Sequence, residues 1–143
     1  MATGTHIRTF YEGAWHDEDV RVMRAADHGS WLGTTVFDGA RFVNGRAPDL
    51  EKHLARVNES ASALMITPTV STADMLGMVR DGLRACSSED AFYIRPMYWA
   101  LHGDEVGIVP RANETGFAIC LEAIPMAPPS ASTTLCTTRF RRP

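Results

Sequence analysis

Residues 34–64 read TTVFDGARFVNGRAPDLEKHLARVNESASAL, and this one stretch carries both periodicities on which the fold depends. Residues 34–43 are rich in β-branched and aromatic side chains and are closed by Asn44-Gly45, a pair that tolerates positive φ and marks a tight turn after an extended segment. Gly39 inside that segment is unusual, because a strand glycine marks a bulge or a close approach to the backbone. From Asp49 onward the pattern changes. Leu50, Leu54, Val57, Ala61 and Leu64 recur three and four residues apart, the apolar stripe of an amphipathic helix. Asp49 stands at the N-cap position, and Thr67-Pro68 is the expected stop.

Upstream, residues 6–11 alternate polar and apolar, Glu12-Gly13 makes a turn, and Ala14-Trp15 returns, which predicts a short opening hairpin. Val20 and Val22 give a second brief alternation, and residues 28–33 read as irregular. Downstream, a second helix follows Ser71-Thr72 with Met75, Leu76, Val79 and Leu83 inward and Ser71 and Asp74 spaced as a capping box. Residues 92–100 and 116–124 read as buried strands joined by the loop 101–115. Residues 125–132 (PMAPPSAS) have linker composition, and a last short strand is expected over 133–138. Strands grouped around a helix pair predict an α+β fold with a largely antiparallel sheet and two helices.

Composition narrows the function. The 143 residues are 45% hydrophobic and 22% charged, the balance of an ordinary globular domain. A net charge of −3 argues against a general nucleic-acid binder, whose footprint is basic. No apolar run is long enough to span a bilayer, and the N-terminus lacks the layout of a signal peptide. Cys86, Cys120 and Cys136 are scattered without metal-ligand spacing and fit reduced thiols, so a cytoplasmic location is expected. The 14 basic residues are 13 Arg and one Lys, so any side-chain amine chemistry falls to Lys52.

Four features bear on chemistry. Phe37, Gly39 and Arg41 alternate along one strand; they form either a wall, a gap and an anion contact, or a bulge beside a surface arginine. Arg56 lies off the helix stripe, either as a phosphate donor or as a solvated side chain. Tyr93 and Arg95 project from one strand face as a candidate carboxylate clamp, with Phe92, Ile94 and Met97 assigned to the other face. His53, nearer the stripe, is given no catalytic role. There is no P-loop, GxSxG, HExxH or GxGxxG element.

Taken together, GTTVFDGAR at 33–41, EKHLARVNESA at 51–61 and YIRP at 93–96 resemble the N-terminal half of class-IV, pyridoxal-phosphate-dependent aminotransferases, nearest to the branched-chain group with its GTSVFEG-R, H-x-x-R-L-x-x-S-A and Y-I-R-P motifs. The match is ordered and covers most of residues 7–143. It departs at Leu32, where the family often carries tyrosine. The resemblance implies that Arg56 contacts the cofactor phosphate. It implies that Phe37 and Gly39 line the substrate pocket, that Tyr93 and Arg95 flank the substrate carboxylate, and that Arg41 lies at its edge. It further implies a homodimer, in which the loop 103–110 (GDEVGIVP) reaches into the partner's site.

The expected domain plan is a small α+β domain over 1–125, an interdomain linker and first strand over 126–138, and the start of a truncated larger domain over 139–143. On this reading the Schiff-base lysine is absent from the chain, Lys52 matches a variable position, and the 143 residues alone are inactive. The full enzyme would exchange an amino group between a branched-chain-like amino acid and a 2-oxo acid on pyridoxal phosphate. The alternatives are a D-amino-acid or (R)-amine transaminase and, from another class, a non-catalytic anion-binding or dimerisation module.

Overall fold

The alternating N-terminal segment folds as expected: β1 (Ile7–Tyr11) turns through Glu12 and Gly13 into β2 (Ala14–His16). The computed structural model describes residues 6–87 and 90–139. Between β2 and the next strand, the stretch read as irregular contains a short helix, α1 (His28–Trp31). No strand forms around Val20 and Val22. The extended segment 34–43 is not one strand but two, β3 (Thr35–Phe37) and β4 (Ala40–Phe42), separated at Asp38 and Gly39. Asn44 and Gly45 follow with φ of 51° and 73°, the paired left-handed residues of a tight turn, which closes on the isolated bridge between Val43 and Arg46.

The two long helices are α2 (Leu50–Ala63) and α3 (Thr72–Arg84). Leu50, Leu54, Val57 and Ala61 of α2 are buried as the stripe predicts, but Leu64 lies past the helix end and is exposed. α2 ends one turn before Pro68. Met65 takes φ of 60°, and the Ile66 N–H reaches back to the Ala61 carbonyl, a Schellman closure. Asp49 occupies the N-cap position without capping; its own left-handed backbone turns the carboxylate away, and it pairs with Lys52 at 2.7 Å. The Ser71 cap does form. Its Oγ accepts from the Asp74 N–H at 3.1 Å and donates to Asp74 Oδ2 at 2.6 Å.

Two nine-residue strands, β5 (Phe92–Ala100) and β6 (Thr115–Ala123), complete the sheet. Its order is β2-β1-β6-β5-β3, with β4 also pairing β5, and every pairing is antiparallel. The fold is therefore the expected α+β arrangement, with three helices rather than two. Phe92, Ile94 and Tyr98 of β5 and Ile119 and Leu121 of β6 form one core with Leu54, Val57, Met75 and Val79 of the helices. Alternation along the strands leaves the other face of the sheet free of α2 and α3. Residues 133–138 form no strand; they are exposed and meet no ladder partner among the described residues. Of the stretch 139–143, residues 140–143 lie outside the described residues.

Candidate active site

Antiparallel register decides which side chains meet. Phe37 opposes Met97 and Arg41 opposes Tyr93, so the odd-numbered residues of β3, β4 and β5 share the face away from α2 and α3. Phe37, Gly39, Arg41, Tyr93 and Arg95 are brought together there as the spacing implied. Met97 joins them and does not side with Phe92 and Ile94, because it lies two and four residues from Arg95 and Tyr93.

Tyr93 stands between two cations. The Arg41 guanidinium carbon lies 5.9 Å and that of Arg95 5.3 Å from its ring centroid, an arrangement the negative ring face stabilises. Arg41 Nη1 donates to the Ile124 carbonyl at 3.2 Å. Arg95 already has an anion: Nη2 donates to the buried carboxylate of Glu122, which sits on β6 beside Cys120, the residue opposite Arg95. Arg95 Nε is buried without an acceptor among the described residues. Burial holds the Cys120 thiol above its ordinary pKa, with Arg95 opposing the shift, so the sulfur remains protonated at neutral pH.

The gap expected at Gly39 is filled. A Cβ built there would stand 2.7 Å from Cε2 and Cζ of Tyr93, and nearer still to the hydroxyl. The close approach that requires glycine is therefore made by the tyrosine of the neighbouring strand. Phe37 remains 62% exposed, an apolar wall open to solvent beside this group.

Arg56 lies across the edge strand, on α2, and connects to it through Asp38, a residue outside the alternation of Phe37, Gly39 and Arg41. Asp38 faces the helices and is 7% exposed. Its Oδ2 accepts from Arg56 Nε at 2.5 Å and its Oδ1 from Arg56 Nη2 at 2.8 Å, a two-pronged pair. His53 Nδ1 donates to the same Oδ1 at 2.8 Å, and the Gly39 N–H donates at 2.7 Å. With its proton committed to Asp38, His53 Nδ1 cannot also accept from Arg56 Nη2, so their 3.1 Å approach is a contact and not a second bond. Burial pushes the Asp38 carboxyl up, but the bonds from Arg56, His53 and Gly39 outweigh it and hold the pKa below the usual carboxylate value. A signal existed: Asp38 falls on the core-facing phase of its strand, where a carboxylate demands a donor, and His53 and Arg56 are spaced to share one helix face.

Lys52 precedes Arg56 by one turn of α2 but takes no part in this group, pairing instead with Asp49. It is 83% exposed, and its bond to Asp49 raises its pKa, so it is a fully protonated surface amine. Two concavities among the described residues lie elsewhere. One of about 510 Å³ opens between Phe42, the start of α2 and Arg80 of α3, and one of about 470 Å³ lies around Tyr11, Trp99 and His102. The Tyr93 surface is an open sheet face, not an enclosed cavity.

A third arrangement orders the loop 103–110. His28 is buried, with Nδ1 at 2.8 Å from Thr34 Oγ1 and Nε2 at 3.2 Å from the Ile108 carbonyl, so α1 and the loop are clamped together. Trp31, Leu32, Val106, Ile108 and Val109 are left exposed on that clamp. Among the described residues no His, Cys, Asp and Glu cluster could hold a metal ion, and no helix is long and apolar enough to cross a membrane.

Comparison with known proteins bears on the family and the fold. The chain is 32% identical over 122 residues to a putative branched-chain-amino-acid aminotransferase of Methanocaldococcus jannaschii, covering 85% of this chain and 41% of that protein. An aminotransferase from Brucella abortus, solved with the cofactor PLP, superposes with a TM-score of 0.92 at 48% identity over 97% of this chain and 49% of that one. The branched-chain amino acid aminotransferase of Escherichia coli shares the fold, with a TM-score of 0.69 at 22% identity over 85% of this chain and 42% of its own. The chain thus spans about half the length of the relatives it matches. The family model for amino-transferase class IV matches residues 35–143, a span that holds Asp38, Arg56, Tyr93 and Arg95, and the chain belongs to that family.

Proposed function

We propose that this chain is the small domain of a pyridoxal-phosphate-dependent aminotransferase that moves an amino group between a branched-chain-like amino acid and a 2-oxo acid. The observation that carries the reading is the open sheet face, where an exposed Phe37 lies beside Tyr93 and its two flanking arginines. A substrate with an apolar side chain and a carboxylate presents the complementary pair of surfaces. Identity of 32% to a putative branched-chain-amino-acid aminotransferase over 122 residues supports the substrate class.

The residues present fit the cofactor's phosphate. Arg56 is 60% exposed, its Nε and Nη2 are held by Asp38, and among the described residues no acceptor meets Nη1, which is left for an outside anion. When bound, pyridoxal phosphate supplies the electron sink for amino transfer. This chain contributes orientation and charge. Arg56 holds the phosphate, Phe37 receives the substrate side chain and excludes water from it, and the Arg41–Tyr93–Arg95 surface receives the carboxylate. Lys52, paired with Asp49 on the first turn of α2, is not the amine that carries the cofactor, so that group comes from outside these 143 residues. On this proposal residues 1–125 are the small domain, 126–138 the linker, and 139–143 the entry to the larger one.

The assembled enzyme is proposed to be a cytoplasmic homodimer. The apolar side chains of Trp31, Val106 and Ile108 on the His28 clamp support burial against a second copy, and the three unpaired cysteines fit a reducing compartment. One observation favours a second substrate reading. Glu122 neutralises Arg95, which suits an amine without a carboxylate, as in an (R)-amine transaminase.

The test is a comparison of kcat/KM in the assembled enzyme for branched-chain L-amino acids, their D-enantiomers and amines of the same shape lacking the carboxylate. The L-amino acids are expected to lead. A preference for the amines would move the second reading ahead.

A further inference from the structure

We infer that Asp38 is a positioning residue for the phosphate site: its buried carboxylate grips one edge of the Arg56 guanidinium and fixes in advance where Nη1 is presented. The inference rests on the reading that Arg56 meets the cofactor phosphate.

Three observations carry it. First, the grip is two-pronged, at 2.5 Å and 2.8 Å, which sets the plane of the guanidinium as well as its position. Second, Asp38 is itself immobilised. It is 7% exposed, its Oδ1 also accepts from His53 and from the Gly39 N–H, and its own N–H donates to the Pro96 carbonyl of β5 at 3.2 Å. Third, Arg56 without this grip is a long side chain, 60% exposed, on a helix surface, and such a side chain samples many rotamers. Ordering it before the anion arrives removes that entropy cost from binding. The same contact gives His53 a role as the third donor, holding the carboxylate rather than touching the anion.

The charge balance also follows. Asp38 and Arg56 cancel, so a phosphate dianion meets a neutral pair through one guanidinium edge and not a bare cation. Orientation, not net charge, is then what this domain offers the phosphate.

The experiment measures dissociation constants of pyridoxal phosphate and of pyridoxal, which lacks the phosphate, in the assembled enzyme and its variants. Asp38→Asn is expected to weaken pyridoxal phosphate by about tenfold while leaving pyridoxal nearly unchanged. In the double variant with Arg56→Ala, Asp38→Asn should add nothing, because the residue acts only through Arg56. Arg56→Lys keeps the charge at an exposed position but cannot span both oxygens of Asp38, so it should lose most of what Arg56→Ala loses; this arm stands even if Asp38→Asn does not fold. Equal weakening of both ligands by Asp38→Asn, full additivity in the double variant, or wild-type affinity in Arg56→Lys would each overturn the positioning role alone. No phosphate-specific loss in Arg56→Ala would overturn the phosphate reading itself and the inference with it.

Discussion

The ring of Tyr93 lies over Gly39 so closely that a methyl group on Gly39 would stand 2.7 Å from two of its ring carbons. Two adjacent strands thus share one small volume, with the side chain from one and no side chain from the other. The position of the phenol between Arg41 and Arg95 depends on that vacancy.

Gly39→Ala is therefore expected to destabilise the domain by ~1–3 kcal/mol, the usual range for a forced extra methyl in a packed site. Tyr93→Phe in the same chain should recover only part of the loss, because the two ring carbons remain in the way when the hydroxyl is gone. Urea denaturation of the single and double variants measures this. Full recovery by Tyr93→Phe would mean that the hydroxyl alone makes the contact.

Arg95 and Glu122 form a pair in which the carboxylate is 4% and the guanidinium side chain 29% exposed. Arg95→Ala leaves Glu122 buried without that partner and should cost about 3 kcal/mol, the lower end for breaking such a pair. Adding Glu122→Gln should return most of that stability. Thermal melts of the two variants decide it, and a double variant no more stable than Arg95→Ala would show that the pair is not the source of the loss. Glu122→Gln by itself releases Arg95, so in the assembled enzyme it should lower KM for a 2-oxo acid more than for a ketone of the same shape.

Asp38 sets the sign of an acid dependence. Its folded pKa lies below the unfolded value of about 3.9, so its contribution is fully present above that pH and is lost as pH falls through the folded value. The urea midpoint of the wild-type chain should fall more steeply below about pH 4 than that of Asp38→Asn. Asp49, Asp104 and Glu114 are also held low, but they are common to both proteins and cancel in the difference. Parallel curves would remove Asp38 from the acid response.

Lys52 should be silent. With its amine exposed and paired to Asp49, the 143-residue chain mixed with equimolar pyridoxal phosphate is expected to develop no visible absorption band that Lys52→Ala abolishes. A band that depends on Lys52 would make this lysine the cofactor's partner after all.

The fold was largely legible because its determinants are local. The stripe from Leu50 to Ala61, the Ser71 cap and the strand over 92–100 each act within one element, and each forms, with the one correction that Met97 lies on the Tyr93 face. The break at Asp38 was less so: a single glycine marked it, but its cause is Tyr93, more than fifty residues away in sequence. The same limit governs the site. Tyr93 and Arg95 share a face by simple alternation, whereas Arg41 meets Tyr93 through the β4–β5 register and Glu122 meets Arg95 through the β5–β6 register, which no local pattern specifies. Asp38 is less legible for a different reason. Its carboxylate lies on the even-numbered face, opposite the motif side chains at 37 and 41, and the clue to it is a charged residue in core phase next to a helix carrying His53 and Arg56.

The interruption between β3 and β4 has one more effect, on what the sheet edge does in a crowded solution. Long, flat, unpaired strands are templates on which other chains add themselves. Here the outer margin of β5 is covered by two three-residue pieces set apart by Asp38 and Gly39, and the N–H at the junction is turned inward to Pro96. The opposite margin is β2, again three residues long. An extended segment drifting against either border finds few aligned hydrogen-bonding groups on which to dock, so the break that turns Asp38 toward Arg56 also shortens the border along which neighbouring molecules could zip together.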